Sequence, residues 1–417
     1  MRVITLPEFG SALELIEIDT PQPLAGEVRV RVHAASVNGF DLAVAAGSLD
    51  GLLEHRFPVV LGKDFAGVVD ALGEGVTDYE VGDRVFGVVT KTHVGDGSFG
   101  EFVTVPTATG LAKLPVEVDF ARGAALGLAG TAAQAAVDAA ELTEGSTVLI
   151  VGATGGVGNQ AVQLAVAAGA TVIATARTAL GIAQVRMLGA TEIVDHTQNI
   201  SQAVRTLHTD GVDVVLHFAG DAATVLPALR SGGRFVSTLI ASPEQLSVVD
   251  AVVVPIYADP TPVVLGRLAD SLAAGRTSVT VQGSYALADV ADAFEAFSDG
   301  ARGKLVILPS PLSPSANREL SPKNPEFLGL FSRFAGWGGV RAGETRVDAS
   351  NLYAPEPSFC VPGPSTGTSS GWPCLPSAPS WPNRCSCWPT RPWSGTWAPC
   401  RWPGSGWPAR CCRRSSG

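Results

Sequence analysis

Residues 1–311 contain no cysteine and no tryptophan; all seven cysteines and all eight tryptophans of the 417-residue chain lie from Trp337 onward. That absence excludes a disulfide framework and a thiolate metal site from this long first segment. No apolar run approaches the length of a membrane span. No apolar leader opens the chain either: residues 2–18 (RVITLPEFGSALELIEI) alternate like the strands of a hairpin. Positive charge is also scarce. Through Leu312 there are 18 Lys and Arg against 34 Asp and Glu, the remainder carries 11 against 5, and the whole chain stands at −10. Such an acidic body argues against nucleic acid or an anionic membrane as partner. A leaderless, cysteine-free body is expected in the cytoplasm. The six histidines (His33, His55, His93, His196, His208 and His217) show no paired ligand spacing, so each reads as structural or exposed.

What is present is concentrated in one stretch. The apolar run STVLIV (Ser146–Val151) empties into GATGGVG (Gly152–Gly158), and NQAVQLAVAAG follows with helical spacing. Strand, glycine turn and helix in that order form a dinucleotide-binding crossover. Ala153, Gly155 and Gly158 occupy the three glycine positions of the pattern, and Ala153 is tolerated there if its φ is negative. With Gly156 and Val157 these residues are expected at a pyrophosphate, where the helix start offers free N–H groups and a positive dipole end. The helix should bury Val157, Ala161, Leu164, Ala165 and Ala168, and stop at Gly169. A second strand, ATVIATAR (Ala170–Arg177), ends without the Asp or Glu that holds a ribose 2′-hydroxyl. Arg177 stands there instead, either solvated or ready to bind a 2′-phosphate through its guanidinium. The pattern therefore favours NADP(H) over NAD(H).

Upstream, EVRVRVHAASVN (Glu27–Asn38), Val59–Gly87 and GSFGEFVTVP (Gly97–Pro106) alternate short apolar runs with Gly and Asp turns, as in a small barrel-like domain. Downstream, EIVDH, DVVLHF and RFVSTL read as buried parallel strands between helices. AVVVPIY (Ala251–Tyr257) suits an edge strand. From Gly371 the chain is nearly all Trp, Pro, Ser, Arg, Cys and Gly, with no helix or strand period. Its cysteines lack zinc-ribbon spacing. Its residues are those of G- and C-rich codons, as a shifted reading frame would supply, and residues 313–417 are expected to be an irregular, disordered tail.

The segments AASVNGFDL, LGKDFAGVV, VGDRVFG, GLAGTAAQAA, GATGGVGNQAVQLA, GVDVVLHFAG and GARGKLVIL, in this order, resemble the zinc-free quinone oxidoreductase branch of the medium-chain dehydrogenase/reductase superfamily. The resemblance covers residues 1–311. It implies an α/β chain: a GroES-like barrel from residues 1–121 and 263–311, and a doubly wound Rossmann domain over 122–262. Zinc-dependent relatives carry Cys and His where this chain has Asn38 and Lys63, and a four-cysteine lobe after the equivalent of GDRVFG where this chain has only VVTKTHVGDG, so neither zinc site can form. Without a Lewis acid, reduction of an activated acceptor such as a quinone or an α,β-unsaturated carbonyl is easier than oxidation of an alcohol. An enoyl reductase of lipid or polyketide assembly has the same chemistry, and a cofactor-binding protein with little turnover is a third reading.

Asn38 and Asp41 match the family's N-x-x-D near the nicotinamide, Asn38 as a donor to a carbonyl and Asp41 orienting it or a water. Both also suit a turn after a strand. Lys63 either polarises the acceptor oxygen or pairs with Asp64. Thr131 matches a threonine near the nicotinamide end, or is an N-terminal helix residue satisfying backbone donors. Phe218, Ala219 and Leu239 follow strands whose carboxyl ends gather ligands. Lys304 matches a position near the cofactor, or lies on the surface. The tyrosine common after N-x-x-D is missing from Leu42–Gly51, which leaves enone reduction open beside quinone reduction. Relatives dimerise through the region of Ala251–Tyr257, so a homodimer is expected.

Overall fold

The computed structural model describes residues 1–246 and 250–309. The expectations for the Cys- and Trp-rich tail lie outside the described residues.

The N-terminal part is built from strands β1 (Arg2–Leu6), β2 (Glu14–Glu17), β3 (Glu27–Ser36), β4 (Glu54–Val60), β5 (Asp64–Leu72), β6 (Arg84–Val88), β7 (His93–Asp96), β8 (Phe102–Pro106) and β9 (Leu111–Lys113). One short helix, α1 (Gly39–Ala45), interrupts them. The alternation read in β3 is real: Val28, Val30 and Val32 are buried while His33 and Arg31 face outward or sideways. These inward residues join Leu6, Phe65, Val85, Phe99 and Val105 in one core.

Helix α2 (Phe120–Ala140) follows, then the crossover strands and helices: β10 (Thr147–Val151), α3 (Gly156–Ala167), β11 (Thr171–Thr175), α4 (Ala179–Met187), β12 (Glu192–Val194), α5 (Ile200–Leu207), β13 (Val212–His217), α6 (Ala222–Val225), β14 (Leu229–Ser237) and β15 (Ala251–Pro255). The six strands form a parallel sheet in the order β12-β11-β10-β13-β14-β15. Its two faces are covered by separate apolar clusters, which is why its strands read as continuous rather than alternating. The order reverses between β10 and β13, so the glycine turn after β10 sits at the switch point where such sheets bind ligands.

The chain returns through α7 (Pro262–Ala273), β16 (Val281–Ala286), α8 (Val290–Ser298) and β17 (Lys304–Leu308). β17 pairs antiparallel with β3, and β16 extends that sheet beyond it, so the last strands complete the N-terminal domain. Helix α2 belongs to both parts. Its Ala124, Ala125 and Leu126 pack with Phe86, Leu265 and Val306, while its Ala133, Ala136 and Val137 pack on the parallel sheet.

Helix α3 buries Ala161, Val162 and Ala165 and ends at Gly169, which takes φ +81°. Ala168, expected on the buried face, is exposed. It lies past the last helical residue as the C-cap, where the 3.6-residue period no longer sets the direction of a side chain. Among the described residues no helix is long and apolar enough to cross a membrane.

Candidate active site

The glycine turn is held from below by a side chain that sequence reading passed over. Asn159 Nδ2 donates to the carbonyls of Ala153 (3.0 Å) and Gly155 (2.9 Å), and its Oδ1 accepts from Gln184 Nε2 at 2.7 Å. The carbonyls are thus turned down and the amides up. Asn159 N–H bonds to Gly155 O, but the N–H groups of Gly156, Val157 and Gly158 have no protein acceptor among the described residues, as expected of a first helical turn. The left-handed residue of the turn is Gly152 (φ +82°), so Ala153 needs no glycine conformation.

The turn is fastened to the other domain. Gly155 bridges Gly303 in a parallel pair, and Gly303 N–H donates to Thr154 O at 2.7 Å. The next residue, Lys304, runs beneath Gly156, where a Cβ would lie 2.5 Å from Lys304 Cδ. Its ammonium donates to Val37 O (2.8 Å), Asn38 Oδ1 (2.5 Å) and Asp64 Oδ2 (3.2 Å). Lys304 is only 4% exposed, so it is no surface lysine.

Asp64 is the hub of this cluster. It is fully buried. Oδ2 also accepts from Ser36 Oγ (2.7 Å) and Asn38 Nδ2 (2.9 Å), and Oδ1 accepts from the Leu128 N–H of α2 (2.7 Å). A Cβ on Gly127 would stand 2.7 Å from that oxygen, so glycine there lets the carboxylate reach the helix backbone. A buried charge is tolerable when paired and fully hydrogen-bonded, and Asp64 meets both conditions.

Two expectations are corrected by this cluster. Asn38 is not a free donor for a substrate carbonyl: its two amide hydrogens go to Ser36 O (3.2 Å) and Asp64, and its oxygen to Lys304. Lys63 does not pair with Asp64, because Lys304 takes that place. The Lys63 ammonium has no hydrogen bond or ion pair among the described residues and lies 4.8 Å from the Phe40 ring centre. Burial pulls its pKa down, while Asp41 and Asp64 act against that shift.

Asp41 sits in the first turn of α1, 1% exposed, and accepts from Asn38 N–H through Oδ2 at 2.9 Å. Its other oxygen makes no hydrogen bond among the described residues. Burial raises its pKa to about 7; the Asn38 amide opposes this, Asp64 adds to it, and Lys304 and Lys63 oppose it. Asp41, Lys63 and Phe40 line one small cavity together with Val44, His93 and Asp96.

The remaining candidates divide. Phe218 N–H donates to Val151 O, and the Ala219 methyl packs where Gly152 has no side chain, so both border the glycine turn. Leu239 is 55% exposed beyond β14, its N–H on Ser237 Oγ. That hydroxyl pairs with Nδ1 of the buried His217 (2.9 Å), whose Nε2 faces Gly220 O at 3.2 Å. Burial lowers the His217 pKa, so the neutral ring clamps the ends of β13 and β14. Thr131 lies in the middle of α2, not near its start, and its hydroxyl faces the Gly127 and Leu128 carbonyls of its own helix. Arg177 is exposed past β11, with no hydrogen bond to protein among the described residues.

These elements match known proteins. A family model described as "Alcohol dehydrogenase GroES-like domain" matches residues 24–116, and one described as "Zinc-binding dehydrogenase" matches residues 156–255. A quinone oxidoreductase of Lama guanicoe is 32% identical over 329 residues, which is 74% of this chain and 97% of that protein. The chain belongs to the quinone oxidoreductase branch of the medium-chain dehydrogenase/reductase superfamily. A solved quinone oxidoreductase from Coxiella burnetii superposes with a TM-score of 0.68 at 27% identity, over 74% of this chain and 99% of that one. A mycocerosic acid synthase-like polyketide synthase of Mycolicibacterium smegmatis is 38% identical over 243 residues, 56% of this chain and 11% of that protein. As a member of this superfamily the chain is an oxidoreductase. The zinc in one family description does not fit the residues here: Lys63 presents an ammonium, the Asn38 amide is fully engaged, and no cysteine precedes position 312.

Proposed function

We propose that this quinone oxidoreductase family member uses NADPH to transfer hydride to a quinone or an α,β-unsaturated carbonyl compound. The observation that carries the reading is the upturned, unbonded amide set of Gly156, Val157 and Gly158 at the sheet's switch point, fastened by Lys304 to the wall that holds Asn38. The amides fit a pyrophosphate. Phe218 and Ala219 border the glycine turn, and Leu239 follows the carboxyl end of β14, where the dinucleotide would extend. Arg177, with no carboxylate at the end of β11, fits a 2′-phosphate. When bound there, the reduced nicotinamide supplies the hydride. The protein's own part is to orient the acceptor, exclude water and balance charge. Asn38 shapes the wall rather than donating to the acceptor. Lys63, the ammonium without an acidic partner, polarises the acceptor oxygen and gives its proton to the anion that hydride addition leaves.

The test is oxidation of NADPH, with NADH in parallel, across a panel of quinones and enones. Turnover with at least one acceptor and a preference for NADPH are expected. No binding of either nucleotide would refute the reading, and binding without turnover would leave a cofactor-binding protein. Arg177→Ala should lower kcat/KM for NADPH by roughly tenfold to a hundredfold, the loss of one or two charge-assisted bonds, and leave NADH nearly unaffected. An equal loss with both nucleotides would exclude the 2′-phosphate role.

The likeness to the polyketide synthase favours a second reading, enoyl reduction of a thioester-bound substrate. Small enoyl thioesters belong in the same panel, and turnover restricted to them would select it.

The chain is further proposed to dimerise. Among the described residues β15 pairs only with β14, and Val252 on it is 48% exposed. An uncovered apolar edge invites pairing with a second copy. Val252→Asp should convert a homodimer to a monomer in sedimentation equilibrium; a wild-type monomer would refute this.

A further inference from the structure

We propose that Asp41, the water-sized cavity beside it and Lys63 form a proton relay that returns a proton from solvent to Lys63 after each reduction. The proposal rests on the reading that Lys63 protonates the anion formed by hydride addition, and it adds where that proton comes from.

The geometry begins with the cavity. Its volume is about 20 Å³, enough for one water and far too small for a quinone or enone. Four titratable side chains line it: Asp41 and Lys63, with His93 and Asp96 from β7. Asp41 turns one oxygen to the Asn38 amide and has the other unbonded. Lys63 is held against Phe40 with its N–H groups unassigned. A water in this space has both donors and acceptors among the lining side chains, the condition for an ordered buried water. Asp96 is half-exposed, 2.9 Å from Lys91 and 3.2 Å from His93, so the cavity lining reaches solvent at Asp96.

The proton balance closes with solvent as the one outside source of protons. Hydride addition to the acceptor leaves an enolate or quinol anion. One Lys63 N–H bond breaks, an O–H or C–H bond forms on the product, and Lys63 becomes a neutral amine. The Asp41 carboxylic acid passes its proton through the water to that amine. Its carboxylate regains one from solvent by way of His93 and the half-exposed Asp96 in the cavity lining. The second transfer turns a neutral acid and a neutral amine into a carboxylate and an ammonium that attract each other, the Asp41–Lys63 attraction that favours the charged form of each group. The charged groups facing Asp41 set its poise from every side: Asp64 on β5 favours the acid, while Lys304 on β17 and Lys63 before β5 favour the carboxylate. Near pH 7 both forms are populated, which suits a group that must give and take a proton in each cycle.

The test uses the full chain and two variants, each with a readout that a merely structural role would not move. In wild type the infrared carboxylic-acid stretch of Asp41 should be present at low pH and vanish with a midpoint near 7; Asp41→Asn should remove that band. Asparagine keeps an acceptor for the Asn38 amide, so the α1 start is retained. In turnover with any acceptor of the panel, wild type should slow above about pH 7 and show a solvent deuterium isotope effect. Asp41→Asn should flatten the pH profile and change the isotope effect, with nucleotide affinity preserved. Lys63→Met should lower kcat by about 10²-fold or more with a smaller change in KM. A carboxyl band with an ordinary low midpoint, or a pH profile and isotope effect unchanged in Asp41→Asn, overturns the relay while leaving the hydride-transfer reading intact. Absent nucleotide binding in wild type overturns the underlying reading instead, and the infrared titration still decides whether Asp41 holds its proton.

Discussion

Replacing Lys304 by methionine should destabilise the protein by roughly 3–5 kcal/mol, the usual result of leaving one charge of a buried pair without its partner. The side chains of Lys304 and Asp64 are 5% and 0% exposed, so solvent cannot compensate Asp64 once the ammonium is gone. Methionine keeps most of the apolar stem beneath Gly156, which confines the loss to charge and hydrogen bonds. Three acceptors lose a donor at once: Val37 O, Asn38 Oδ1 and Asp64 Oδ2. Combining Lys304→Met with Asp64→Asn should cost less than the sum of the two single changes, because the second removes the orphaned charge. Urea midpoints of the four proteins measure this. A single-variant loss below about 1 kcal/mol, as for an exposed pair, would show that the ion pair is not desolvated.

The second large effect concerns Asp41 and the pH dependence of stability. An unfolded chain releases the Asp41 proton around 3.8, the folded protein only near 7. Between those values the folded state holds a proton that the unfolded state has lost, so stability falls as pH rises. The contribution of the protonated carboxyl is fully present below 3.8 and gone above about 7. A shift of that size corresponds to on the order of 4 kcal/mol. Asp41→Asn removes the titration, so the variant should gain on wild type by about that amount between pH 4 and pH 8. Denaturant titrations at several pH values read the difference directly. A variant that tracks wild type in parallel across this range would show that the carboxyl titrates at an ordinary value.

Both predictions come from side chains that the sequence displays but does not connect. The elements themselves were legible. The valines of Glu27–Ser36 alternate because one face of β3 lies on the core, and Val148–Val151 is apolar throughout because β10 is covered on both sides. The glycine turn and the helix stop at Gly169 follow from local backbone needs. Partners were not legible. Asp64 appeared as a neighbour of Lys63 in one motif, yet its bonds run to Ser36, Asn38, Leu128 and Lys304. Asn38 and Lys304 stand 266 positions apart, and no local period relates them. Asn159 followed the glycines in plain view, but its role depends on Gln184, 25 residues on.

The sequence by itself determined the family, the two kinds of layer and the place of the glycine turn, because periodicity, β-branching and glycine act within a few residues of chain. Which lysine neutralises Asp64, which is left with its ammonium unpaired, and how deeply Asp41 is buried were decided only by tertiary structure. Ion pairing and desolvation depend on distance in space and on the removal of water, and both are settled when β17 lies down against β3 and Lys304 passes beneath the turn.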